Sequence, residues 1–224
     1  MVIFKEGNSV KFLKHFVAFY IIWGITETVI YPFLRAKDAF LCDLYSPVWK
    51  IIIWLVPVAY ILLHEKYSIL HYLKLSYINS RTVFWSISGA GFMAGYNVVM
   101  HMAFYESTSF YPYLGITQLV NTVLIAGFVE EVLFRGYFLQ RIRECFSFWQ
   151  SNFLVSLMFL SIHFPIWYVN ADHIAHGMVA WLQLTVFIFC FSLLQGLILR
   201  KAGSLWPCII LHMMNNFMAL ALIR

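Results

Sequence analysis

The chain has 224 residues, 62% of them hydrophobic and only 11% charged, with 22 Phe, 13 Tyr, 8 Trp and a formal net charge of +5. Apolar content on this scale excludes a soluble globular domain, and the apolar runs of about 20 residues match the ~30 Å of hydrocarbon that a membrane helix crosses. Short alternating strands, the mark of a transmembrane barrel, are missing. The expected fold is all-α: a polytopic bundle of about seven helices in a single membrane domain.

The spans are expected at about residues 10–34, 45–63, 82–105, 116–140, 149–164, 177–199 and 204–223. The first follows Lys5, Lys11 and Lys14. It is too long for a signal-peptide core and lacks a small-residue cleavage site, so it is expected to be retained. Within it, Glu27 in "WGITETVIYPF" either bonds to a neighbouring helix or lines a cavity. Pro32 and Pro57 fall at helix ends or tolerated kinks. In the third span, Gly91 and Gly95 of "GAGFMAG" lie four apart and predict a close helix–helix approach. His101 is read as structural, and His15, His64 and His71 as interfacial.

With the amino terminus in the cytoplasm, the inner segments carry Lys5, Lys11, Lys14, Lys66, Lys74, Arg81, Arg141, Arg143, Arg200 and Lys201. The outer ones carry Arg35, Lys37, Lys50 and Arg224. This bias follows the positive-inside rule, so the net charge reports topology and contact with anionic lipid rather than nucleic-acid binding. Cys42, Cys145, Cys190 and Cys208 have no CxxC spacing and suggest neither disulfides nor a thiolate metal site. His173 and His176 in "NADHIAH" are spaced for a metal, though a mixed polar loop explains them equally well. The count of spans becomes eight if residues 164–176 re-enter the membrane.

The fourth span holds "GFVEEVLFRGYFLQR", with Glu130, Glu131 and Arg135 in an apolar helix. One charge at the bilayer centre costs roughly 2.5–3.5 kcal/mol even on lenient scales, so these groups need partners or a polar cavity. Glu131 and Arg135 are i and i+4 and can pair; Glu130 is rotated by about 100° and is left over. Polar company is available in "FLSIHF", which places His163 in the fifth span, and in "LWPCIILHMMNNF", which places His212 and Asn216 one turn apart in the seventh. Counted from the cytoplasmic ends at about 1.5 Å per residue, Glu130, His163 and His212 lie ~13–20 Å deep, close enough in level to meet.

These residues resemble the CPBP family of intramembrane proteases (CAAX protease and bacteriocin-processing, or ABI). The matching motifs are EExxxR as "EEVLFR", FxxxH as "FLSIH" and HxxxN as "HMMNN". The resemblance covers residues 116–223 as a catalytic core and leaves 1–115 as a variable half. It implies that Glu130 activates water, that His163 helps bind and orient it, that His212 and Asn216 stabilise the oxyanion, and that Glu131 and Arg135 support the site. The family has been described both as glutamate-dependent and as metalloproteases. The metal-free reading is the expectation, and the alternative is a zinc ion held by Glu130, His163 and His212 with water in the fourth position.

The expected function is therefore an intramembrane endopeptidase acting on a membrane-associated peptide or protein: a CAAX-like terminus, a bacteriocin or signalling-peptide precursor, or a sorting-tail protein. The cell membrane of a prokaryote is the expected location. The competing readings are an immunity or scaffolding protein of the same fold and a proton-coupled transporter. The transporter reading lacks the inverted repeats and broken helices such proteins show. A purely structural reading would make the polar residues a network that fastens helices together.

Overall fold

The structure, a computed structural model, describes residues 6–105, 109–111, 113–169 and 177–222. Lys5, the His173/His176 pair, Arg224 and most of the segment considered for re-entry lie outside the described residues.

Among the described residues seven long helices follow in the predicted order. Helix α1 comprises Glu6–Ile25, a π-helical stretch Thr26–Ile30, and Tyr31–Lys37. Helix α2 spans Ala39–His64 and α3 spans Ser80–Tyr105, with a single turn, Ile69–Tyr72, between them. Helix α4 runs over Ile116–Arg143, α5 over Phe148–Val169, α6 over Met178–Ala202 and α7 over Trp206–Ala221. Among the described residues six helices are long and apolar enough to cross a membrane. Helix α7 has 16 residues and reaches only about 24 Å. The chain is an integral membrane protein with an all-helical fold.

Local chemistry sets several boundaries. Asp38 leaves helical geometry and its side chain accepts from Leu41 N at 3.0 Å, which separates α1 from α2. Ser147 and Gln150 form a capping box that starts α5. Gly203, at φ 72°, ends α6 in the left-handed conformation that glycine adopts without penalty.

Helix α4 is the centre of the bundle, with every residue from Val132 to Leu139 buried. Helix α7 packs on α3 and α4, α6 packs on α5, and α2 lies along α4. The close approach expected at Gly91 and Gly95 is not there: both are exposed, and a Cβ at either would meet nothing within 4 Å. The buried stripe of α3 is Thr82, Ser86, Gly89 and Met93, a different face of the helix. A tight contact is found instead at Gly127 of α4, where a Cβ would sit 2.8 Å from Met213 Cγ and 3.2 Å from the Met213 backbone nitrogen. That approach seats α7 directly on the turn preceding Glu130.

Candidate active site

Helix α4 carries the acidic residues on a short α-helical stretch, Ala126–Glu131, between π-helical stretches at Leu119–Ile125 and Val132–Phe138. Each π turn holds more than the ordinary 3.6 residues, and such turns are frequent at functional sites.

Glu131 and Arg135 pair as the i, i+4 spacing predicts, Nη1 donating to Oε1 at 3.1 Å, with side-chain exposures of 0% and 1%. The same Oε1 also lies 2.7 Å from His212 Nδ1. A carboxylate only accepts, so Nδ1 carries the proton and the neutral ring presents an unprotonated Nε2. That Nε2 lies 3.8 Å from Glu130 Oε2. His212 can therefore donate from Nε2 only as the imidazolium.

Glu130 is not the unpartnered carboxylate the spacing implies. Lys50 Nζ donates to its Oε1 at 2.6 Å. The sequence reading counts Lys50 with the outer charges, although its second span, from about residue 45, already contains that residue. Helix α2 begins at Ala39, which carries Lys50 about three turns into the helix. A lysine within an apolar run, three residues after Pro47, is the signal that could have marked it.

His163 belongs to α5 at a break in the helix. The first segment ends at Ser161, and His163 opens the next. Pro165 explains the break: it has no N–H to give the Ser161 carbonyl, and its ring crowds that turn. The exposed carbonyls are satisfied from α1, Tyr20 Oη donating to Ser161 O at 3.2 Å and Trp23 Nε1 to Ile162 O at 3.1 Å. His163 Nδ1 donates to Phe159 O at 2.9 Å, which leaves its Nε2 unprotonated in the neutral ring. Glu130 and His163 are within electrostatic reach of each other.

Phe159, the aromatic residue of FxxxH, joins these groups. Its ring lies 4.3 Å from the Arg135 guanidinium carbon, 5.2 Å from the His163 ring and 6.0 Å, edge-on, from the His212 ring. Phe191 of α6 packs on His212 at 5.3 Å. The histidines are thus oriented by aromatic walls as well as by hydrogen bonds.

Asn216 lies one turn after His212, half-buried, its Nδ2 donating to Thr122 O at 2.8 Å in the first π stretch of α4. Asn215, which carries no weight in the motif reading, donates to Asn216 Oδ1 at 3.3 Å and accepts from Asn97 Nδ2 at 3.3 Å. Nδ2 of Asn216 has a second proton available beyond the one on Thr122. A related contact holds Asn121, whose Nδ2 donates to Asp43 O at 2.7 Å. Pro47 cannot bond that carbonyl, which lies four residues before it. Glu27 sits in the π stretch of α1, within electrostatic reach of Lys50 and Glu130.

The alternative zinc set, Glu130, His163 and His212, has one feature metal sites use: both histidines donate Nδ1–H to an oxygen acceptor. The rest of the arrangement does not fit. Among the described residues no three His, Cys, Asp or Glu side chains gather closely enough to hold an ion. The Lys50 ammonium also already holds one Glu130 oxygen, and its charge would repel a divalent cation there.

Fold and site together define a polytopic membrane protein with a carboxylate–histidine centre buried in its bundle. The model of the Rce1-like family, described as type II CAAX prenyl endopeptidase Rce1-like, matches residues 112–218. All three motifs fall inside the matched residues. No curated protein matches the chain.

Proposed function

We propose that the chain is an intramembrane endopeptidase that hydrolyses a peptide bond with a water molecule activated by Glu130, without a metal. The observation that carries this reading is the division of labour between adjacent glutamates. Glu131 is consumed by Arg135 and His212, while Glu130 Oε2 lies 3.8 Å from Nε2 of His212. A carboxylate with one oxygen held and the other directed at an imidazole is suited to taking a proton from water.

In this scheme water attacks the scissile carbonyl carbon as its proton passes to Glu130. His163, fixed by the Phe159 carbonyl, orients the water. The second Nδ2 proton of Asn216 and the His212 imidazolium face the developing oxyanion. The proton then moves to the departing amine as the C–N bond breaks, leaving a new carboxylate and a new amino terminus. The Glu131–Arg135 pair keeps a buried charge compensated, and Glu131 Oε1 fixes the His212 ring through its Nδ1–H.

The substrate class proposed is a membrane-associated peptide or protein: a prenylated CAAX-like terminus, in keeping with the family's description, a bacteriocin or signalling-peptide precursor, or a sorting-tail protein. We place the chain in a prokaryotic cell membrane with its amino terminus in the cytoplasm, as the loop charges favour. The test compares protein and peptide termini in host membranes carrying the wild type or Glu130→Gln at matched expression. New termini that vanish in the variant are expected. Identical sets of termini with folded protein would refute the reading.

A further inference from the structure

Lys50 comes from α2, outside the residues the family model matches, yet it makes the shortest contact to the carboxylate at the centre of the site. Its ammonium is 2.6 Å from Glu130 Oε1, and the two side chains are only 16% and 10% exposed. The cation is also boxed in. It lies 4.8 Å from the ring centre of Trp54 and 5.5 Å from that of Trp23, and the two indoles meet edge to face at 4.9 Å. Trp54 is one turn beyond Lys50 on α2. Trp23 is itself tied to Ile162 O, the residue before His163. The ammonium is therefore held in place by the same α1 side chain that braces the His163 break.

A simple fastener between α2 and α4 would need neither the central carboxylate nor an aromatic box. The geometry here acts on the carboxylate itself: Lys50 holds Oε1, and Oε2 is the oxygen turned toward His212 Nε2. An ammonium against a ring face is attracted to it, and when desolvated this adds to the ion pair in fixing the cation. A carboxylate with one oxygen clamped has one oxygen and one direction left with which to take a proton, and placement of this kind is a large part of catalytic rate.

We propose that Lys50 is a positioning residue for the reaction, its ammonium held against the Trp23 and Trp54 rings and clamping Glu130 Oε1 so that Oε2 alone meets the water. This rests on the endopeptidase reading. Its test extends the comparison of termini to Lys50→Met, Lys50→Gln and Lys50→Arg, followed by kcat and KM on the peptide so identified, with tryptophan emission reporting whether the box is intact. Lys50→Met is expected to lower kcat about 100-fold with KM nearly unchanged, and Lys50→Arg to recover most of the loss. If Lys50→Met does not fold, Lys50→Gln, which keeps an N–H donor without the charge, carries the same expectation. Wild-type kcat in a folded Lys50→Met or Lys50→Gln protein would overturn this proposal and leave the endopeptidase reading intact. Termini insensitive to Glu130→Gln would overturn both.

Discussion

The two halves of the molecule contribute to the site in different ways. From α4 onward the chain carries its chemistry in short local spacings: Glu131 with Arg135, Phe159 with His163, His212 with Asn216, each pair one helical turn apart. The first three helices carry no such motif, yet Lys50, Trp23 and Tyr20 come from them and touch the carboxylate or brace the turn beside His163. The difference is physical. Pro165 breaks a hydrogen bond within α5, and the Ser161 carbonyl so exposed takes its donor from Tyr20 of α1. One half presents reactive groups; the other pins down the backbone and the charge that those groups leave unsatisfied.

That contrast can be broken most forcefully at Arg135. Arg135→Met would leave Glu131 as an uncompensated buried charge, at about 3–5 kcal/mol. The expected outcome is loss of folded protein in thermal denaturation in detergent, and a near-wild-type melting temperature would mean the pair does not hold α4 together. Asn216→Ala comes next and acts on the reaction rather than on the fold. It should lower kcat by the equivalent of about 2.7–4 kcal/mol while the melting temperature moves little, which parallel kinetic and thermal measurements would check.

Smaller effects sharpen the comparison. At Gly196 of α6 a Cβ would run into the Asn152 carboxamide, which donates to Leu193 O at 3.0 Å. Gly196→Ala should destabilise the α5–α6 pair by about 1–3 kcal/mol, visible as a lower thermal midpoint. In contrast, Gly91→Ala and Gly95→Ala, at positions where a Cβ meets nothing, should leave that midpoint unchanged or raise it slightly. A modest effect is also expected of Tyr20→Phe, which removes one hydrogen bond to the Ser161 carbonyl at about 0.5–1.5 kcal/mol. A matching modest fall in activity would link α1 to the His163 turn.

The fold was legible because the apolar runs of a membrane chain are set by hydrocarbon thickness, and the seven helices fall where those runs do. Within the site, pairs on one helix could be read from sequence because helical geometry fixes their separation, as the Glu131–Arg135 contact illustrates. Contacts between helices had no such ruler. Lys50 is counted with the outer charges although it falls inside the second span even when that span starts at residue 45, and Glu130 is accordingly left without a partner. His212 was read toward Glu130 and the oxyanion, whereas its Nδ1 is committed to Glu131. The Gly91/Gly95 spacing was sound as a pattern but faces outward, because spacing alone does not say which stripe of a helix meets its neighbour.

The central claim is that a single buried site, with Glu130 as its working carboxylate, hydrolyses peptide bonds without a metal. The most direct measurement uses the purified chain in liposomes with a membrane-anchored peptide ending in a prenylated CAAX sequence. Wild type, Glu130→Gln and chelator-treated wild type are compared by mass spectrometry of the products. The account predicts cleavage by the wild type, cleavage of the same bond after chelation, and a loss of about three orders of magnitude in Glu130→Gln. Cleavage that survives Glu130→Gln, or that disappears with chelator and returns with zinc, would contradict it.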